Sequence, residues 1–161
     1  MKTLVVYYSK TGLTKKIGDS VADLLKAETE EIVDLTDRSG FWGWLFGGRD
    51  AFRKKTTKIS TPGKDPAAYD LVIIGSPIWA GNITPAVRTY LLENAKKLLN
   101  NVAFYCSKGG TPGKKFFAEM EKLSGKKPLA RLDIKRGEEI SGIATHKMIQ
   151  FAEEIKHLLG A

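Results

Sequence analysis

Three hydroxyls and a glycine crowd one short stretch. The segment "YYSKTGLTKK", residues 7–16, holds Ser9, Thr11, Gly12 and Thr14 directly after the apolar run that ends "MKTLVV". Lys15 and Lys16 then open what reads as a helix. A helix N-terminus leaves its first backbone N–H groups unpaired and carries partial positive charge, so a phosphate is a natural partner for it. Gly12 lets the backbone come close without a Cβ, and the three hydroxyls can each donate a hydrogen bond. Other phosphate loops fit badly. A GxxxxGK[ST] loop needs an earlier glycine and a Gly-Lys pair, and a GxGxxG fingerprint needs glycines that this stretch lacks. The same residues would also serve simply to turn the corner and cap the helix.

Two further stretches share that chemistry: "SPIWAGN", residues 76–82, and "SKGGTPG", residues 107–113. Trp79 in the first of them offers a flat apolar indole on which a flat apolar ring could stack. Elsewhere the chemistry is thin. The one cysteine, Cys106, excludes an intramolecular disulfide and a CxxC site, and reads as a small buried apolar residue. His146 and His157 lie eleven apart, too sparse for a metal site, so no metal is expected. Asp65, Asp70 and Glu93 make no recognisable carboxylate pair, and no Ser/His/Asp constellation is visible, so no catalytic residue is assigned.

The elements that must position these loops alternate along the chain. Apolar runs at 2–8, 30–35, 70–75, 101–106 and 128–134 read as strands, and the first lacks clean alternation, as a strand buried on both faces would. Helical spacing follows at 14–27, with Ile17, Val21, Leu24 and Leu25, then at 84–93 and 112–123. A last helix begins at Ser141 as N-cap and carries the stripe Ala144, Met148, Phe151, Ile155 and Leu158. The alternation predicts an α/β fold of one domain over 1–161: a doubly wound five-stranded parallel sheet with helices on both faces. Such sheets bind ligands outside the carboxyl ends of their strands, which is where all three hydroxyl- and glycine-rich loops fall. One segment, about 37–66, breaks the pattern as a long insertion between the second and third strands. It begins with the aromatic run "GFWGWLFGGRDAF" and continues with the basic run "RKKTTK".

Taken together, the three loops resemble those of the flavodoxins. "YYSKTGLTKKIG" is similar to their phosphate loop, "DLVIIGSPIWAGNITPAVRTYL" to their second flavin loop, and "VAFYCSKGG" to the third. The resemblance spans nearly the whole chain and implies a flavodoxin-like fold with FMN as cofactor. It implies that Ser9, Thr11, Gly12, Leu13 and Thr14 hold the FMN phosphate. Ser76, Pro77, Ile78 and Trp79 would line one side of the isoalloxazine, and Gly81 would supply a flexible peptide near its N5. Ser107, Lys108, Gly109 and Gly110 would meet the pyrimidine edge. The function implied is electron transfer between redox partners. The alternative is an NAD(P)H-dependent FMN quinone or related reductase.

The chain departs from that resemblance in charge. Typical flavodoxins are strongly acidic, whereas this chain carries a formal net charge of +8. The expectation is therefore an acidic redox partner, and a fully reduced flavin less destabilised than in acidic relatives. A nucleic-acid partner is not expected, because no aromatic platform accompanies the basic residues. No apolar run approaches the roughly 18 residues of a transmembrane helix, and a lone cysteine agrees with a cytoplasmic location. The aromatics Phe41, Trp42, Trp44, Leu45, Phe46 and Phe52 are open to several readings: a loop packed on its own domain, a lid on the flavin, a dimer contact, a partner surface, or contact with an anionic membrane surface.

Overall fold

The computed structural model describes residues 1–98 and 100–160; Leu99 and Ala161, inside the expected domain of 1–161, lie outside the described residues. Five parallel strands form the sheet: β1 (Thr3–Tyr7), β2 (Glu28–Glu31), β3 (Leu71–Trp79), β5 (Asn101–Lys108) and β6 (Arg131–Lys135), in the order β2-β1-β3-β5-β6. A sixth, two-residue strand, β4 (Asn82–Ile83), pairs antiparallel with the end of β3. The five parallel strands thus realise the expected doubly wound order, and its switch point lies between β1 and β3.

The period of two sorts the central strands onto two cores. Leu4, Val6, Val72, Ile74, Val102 and Phe104 point to one face, where α3 (Pro85–Asn94) and α4 (Lys114–Ser124) supply Val87, Tyr90, Leu91, Phe116 and Met120. Val5, Tyr7, Leu71, Ile73 and Tyr105 point to the other, where α1 (Leu13–Leu25) and α5 (Ile143–Leu159) supply Ile17, Val21, Phe151 and Ile155. Each such side chain, taken from water, contributes about 1.5–3 kcal/mol, which is why residues 4–7 of β1, 71–75 of β3 and 102–106 of β5 include no charged residue.

Several boundaries differ from the sequence expectation. β2 runs Glu28–Glu31, two residues earlier than the expected 30–35. Its polar residues pair Leu4 to Tyr7 in register, and the apolar residues that suggested a strand lie beyond it. Of these, Ile32 is buried but Val33 and Leu35 are exposed. There the chain pairs instead with the insertion, through an Asp34–Ile59 bridge. Ladder geometry has outweighed strand propensity here. The last helix is not capped by Ser141: Gly142, at φ 75°, is the N-cap, and the Ser141 hydroxyl donates to the Glu138 carbonyl. Leu24 and Leu158, placed on inward stripes by spacing, are exposed.

The insertion contains a helix of its own, α2 (Gly40–Phe52), which packs toward β3, β4 and α3. Its inward side is made of small residues. Gly43 lies on the Arg38 backbone, Gly47 lies on the Trp79 ring, and Ala51 is fully buried. Arg38 fastens the start of this segment. Its Nε donates to Asp34 Oδ2 at 2.7 Å and its Nη1 to Asp50 Oδ2 at 3.3 Å, with Arg38 and Asp34 both nearly buried. Burial works against the Arg38 charge, but the two carboxylates outweigh it and hold the guanidinium pKa above its ordinary value.

Candidate functional site

The loops after β1, β3 and β5 meet at the carboxyl end of the sheet. In the first, Gly12 takes φ 90°, a left-handed conformation that glycine adopts without strain, and its N–H donates to Ser9 Oγ at 3.1 Å. That contact folds the loop so that Gly12 becomes the N-cap of α1, and the first intrahelical bond is Lys16 N–H to the Gly12 carbonyl at 2.9 Å. No side chain caps this end, so the N–H groups at the head of α1 stay available to an anion. Thr14 is buried, and its hydroxyl shares a 2.7 Å hydrogen bond with Ser107 Oγ at the end of β5. The Tyr105 hydroxyl donates to the Thr14 carbonyl at 3.1 Å. Loops one and three are therefore tied together by their own side chains. Lys15 turns away from the loop, donating to the Tyr7 hydroxyl at 2.8 Å.

The second loop is a tight hairpin. Ile78 pairs with Ile83 and Trp79 with Asn82, which leaves Ala80 and Gly81 as the two turn residues. Their φ values, 46° and 75°, are both positive, as a twist-matched two-residue hairpin requires. Ala80 adopts its angle at a cost of about 1 kcal/mol. The turn is held by Asn82 Nδ2, which donates to the Ala80 carbonyl at 2.9 Å; Asn82 Oδ1 is buried with no hydrogen-bond partner among the described residues. Ser76 lies just behind this loop and is fully buried. Its hydroxyl is engaged with Thr84 Oγ1 at 3.1 Å and with the Pro77 carbonyl, so it ties β3 to the start of α3.

In the third loop, Gly109 and Gly110 have ordinary negative φ or extended backbone, and an added Cβ at either would meet no atom within 4 Å. Packing within the protein gives no reason for glycine at either position. A ligand that approaches the backbone closely does give one. Lys108 is drawn sideways into an ion pair with Asp133 on β6.

A cleft of about 300 Å³ runs between these loops. It brings together Thr11, Leu13, Thr14, Pro77, Ile78, Trp79, Ser107, Lys108 and Gly109 of the expected site, and adds Lys10, Trp44 and Arg136, which sequence reasoning did not assign to it. Among the described residues three cations and no carboxylate line it; Lys108 is spent on Asp133, so Lys10 and Arg136 carry the field that favours an anion. Ser9 and Gly12 fold the first loop but do not line this cleft, Ser9 lining instead a separate one with Tyr8 and Asp34; Gly81 lies beside Thr111 of the third loop, and Gly110 stands outside at the exposed tip of that loop. A second cleft of about 530 Å³ adjoins the first and shares Trp44, Ile78, Trp79 and Gly109 with it; Leu45, Arg49 and Phe52 of α2 form its far wall.

Trp79 is the partition between clefts and core. Tyr8 meets it edge-on with centroids 5.7 Å apart, Gly47 abuts it from behind, and Lys10 Nζ lies 5.7 Å from its centroid. Burial, reinforced by Asp34, pushes the Tyr8 phenol up to about 12, so it stays neutral beside the indole. Cys106 is fully buried at the end of β5. Burial, with the Asp133 charge behind it, pushes its thiol up to about 12, which makes it an inert filler as expected. Among the described residues no group of His, Cys, Asp and Glu could hold a metal ion.

No protein-family profile matches the sequence, and no curated protein matches it. Solved structures do. A flavoprotein in complex with FMN from Lactobacillus acidophilus aligns at 24% identity with a TM-score of 0.72, covering 87% of this chain and 97% of that one. A two-electron reduced flavodoxin from Megasphaera elsdenii aligns at 14% identity and TM-score 0.62, covering 94% and 98%. A WrbA-like flavodoxin from Agrobacterium tumefaciens aligns at 15% identity and TM-score 0.56, covering 97% and 98%. With the strand order above, these likenesses establish that the chain has the flavodoxin-like fold.

Proposed function

We propose that the chain binds FMN in the cleft between its three loops and works as an electron carrier between redox partners. The observation that carries this reading is the combination at the head of α1. Unspent N–H groups open into a cleft lined by cations and no carboxylate, and the glycines of the facing loop have no packing reason to be glycine. That donor set fits a phosphate ester bearing a flat ring. Thr11, Leu13 and Thr14 would hold the phosphate through hydroxyls and backbone N–H groups. Trp79 would flank the ring, and the Gly109 backbone would meet its polar edge. When bound, the flavin supplies one- and two-electron chemistry, and the protein sets its potential through hydrogen bonds and nearby charge.

The chain's own residues do the rest. Trp79, backed by Tyr8 and Gly47, keeps water from one side of the site. Asn82 fixes the Ala80–Gly81 turn, whose Ala80 lines the adjoining cleft. Lys10 and Arg136 place positive charge at the cleft, which favours added electrons. The cleft lining offers no carboxylate or imidazole to move a proton to a substrate, which suits electron transfer better than acid–base turnover.

One observation favours a second reading, an NAD(P)H-dependent quinone reductase: the adjoining apolar cleft walled by Trp44, Leu45, Arg49 and Phe52 has room for an acceptor beside the ring. Steady-state assays separate the two. For a carrier, NADH or NADPH oxidation with a soluble quinone runs no faster than with free FMN, while chemically reduced protein passes single electrons to ferricyanide rapidly. Saturable turnover that falls when Trp44 or Arg49 is replaced would assign the reductase instead.

A further inference from the structure

Helix α2 is built inside out. Its inward stripe is Gly43, Gly47 and Ala51, while Phe41, Trp42, Trp44 and Phe52 are each 65–67% exposed and Leu45 and Phe46 are about 41–42% exposed. The exposed rings are ordered against one another: Trp42 stacks on Phe46 at 5.9 Å, and Phe41 meets Trp42 edge-on at 5.6 Å. Soluble surfaces rarely carry so contiguous an apolar patch without a use.

The patch is also ringed by positive charge. Residues 37–58 hold six cations and two carboxylates; Arg38 is buried against Asp34 and Asp50 and Lys54 pairs with Glu119, which leaves Arg49, Arg53, Lys55 and Lys58 on the outside. One of those carboxylates, Asp50, is shared by Arg38, Arg49 and Lys55. Arg49 lies over the Phe46 ring at 4.7 Å, and Arg53 and Lys58 are exposed beyond the helix end. An aromatic face flanked by Arg and Lys is the arrangement that settles at the headgroup level of an anionic bilayer: apolar rings enter the acyl boundary and cations stay among the phosphates.

Two other occupants fit less well. A 13-residue helix is about 20 Å long and about 10 Å wide. Its flat projection is only about 200 Å², so a protein partner would have to wrap around the ridge to reach the roughly 800 Å² of accessible surface per partner usual in a stable interface. A second copy would in addition bring two chains of net charge +8 together. A bilayer needs no matching groove and accepts a convex ridge.

We infer that α2 is a lipid-docking ridge, which lays its Phe41, Trp42 and Phe46 side chains into the surface of an anionic membrane, with Leu45 and Phe52, which also wall the second cleft, at its edge. The chain would bind there peripherally; no described helix is long and apolar enough to cross a membrane. The inference rests on the outer face of α2 and holds with or without a bound flavin.

The test uses the full chain, flavin-free and FMN-supplemented, with vesicles of phosphatidylcholine alone and of phosphatidylcholine with phosphatidylglycerol at 3:1. Binding is read by co-sedimentation and by quenching of tryptophan fluorescence with brominated lipid, since two of the three tryptophans lie on α2. The expected result is binding to the anionic vesicles at least about tenfold tighter than to the neutral ones, strong quenching, and release toward 1 M salt, where screening shortens the range of charge to about 3 Å. The double variant Trp42→Ser, Phe46→Ser should lose at least about tenfold in that affinity with its melting temperature kept. Leu92→Ser, which removes an exposed leucine of α3, should bind as the parent does. Absence of anionic-vesicle binding overturns the inference. So does binding that survives the double variant, which would reduce the surface to bare charge. A dimer in light scattering that the double variant dissociates, or capture by polyglutamate that needs the same rings while vesicles are ignored, would assign the face to a second copy or to an acidic protein instead.

Discussion

The packing of α2 on Trp79 can be tested with two neighbouring glycines. Gly47 and Gly48 sit side by side in the same helix. Alanine in place of either gains about 0.8–1 kcal/mol of helix propensity. The surroundings differ. A Cβ at Gly48 would meet nothing within 4 Å, whereas a Cβ at Gly47 would lie 2.9 Å from Trp79 Cζ3 and 3.3 Å from Cε3. Carbon atoms rest at about 3.5–4.0 Å, so helix and indole must part by roughly 0.7 Å. Overpacking of this kind costs about 1–3 kcal/mol. The flavin-free Gly48→Ala variant should therefore be more stable than the parent by up to about 1 kcal/mol. Gly47→Ala should be unchanged or less stable by up to about 2 kcal/mol. The difference between the two variants, about 1–3 kcal/mol, isolates the contact because the propensity gain cancels. Urea unfolding followed by far-UV circular dichroism gives both values, provided the m-value holds. Gly47→Ala should also weaken FMN binding, since the indole that flanks the site has moved. Equal stabilisation by the two substitutions would refute the close approach of α2 to Trp79, and with it the wall of the site.

Three further outcomes follow from the same structure. Glu119→Gln leaves the nearly buried Arg88 guanidinium, now 2.9 Å from Glu119 Oε1, without its counter-charge, and should cost about 3 kcal/mol or more in urea unfolding. Burial raises the Cys106 thiol from 9.0 and the Tyr8 phenol from 10.0, each to about 12. The stability that this neutrality represents is complete below pH 9 and is lost as pH climbs from 9 to 12. The unfolding midpoint should fall through that window, and the native thiol should resist Ellman's reagent at pH 8 until urea unfolds the chain. At the β3–β4 turn, Gly81→Ala should cost about 1 kcal/mol of backbone strain alone, since its Cβ would sit 3.8 Å from Thr111 Cγ2. Ala80→Gly, which relieves φ 46°, should move the melting temperature the other way.

The sheet and its loops were legible because both signals are local. Apolar runs such as "DLVIIG" cannot face water on either side, and hydroxyl- and glycine-rich segments punctuate them where the strands end. Helix α2 was not legible as a helix. Its four glycines argue against one, and its large apolar residues mark the wrong face, because the site calls for small residues where α2 touches Arg38 and Trp79. Arg136 closes a basic run, 126–136, that reads as a solvated strand edge; the turn after β6 brings it to the cleft through a backbone bond to Lys108, a contact that no spacing encodes. Ser76 has the right place in the chain for the site, yet its side chain points back to Thr84, since alternate residues of a strand face opposite ways.

Calorimetric titration of the flavin-free protein with FMN and, in parallel, with riboflavin reads the central claim directly. If the head of α1 grips a phosphate, FMN binds at one site per chain and at least about tenfold, or 1.4 kcal/mol, tighter than riboflavin. Equal affinities would place the phosphate outside the loop of Ser9 to Thr14, and absence of heat with either ligand would contradict the flavin site altogether.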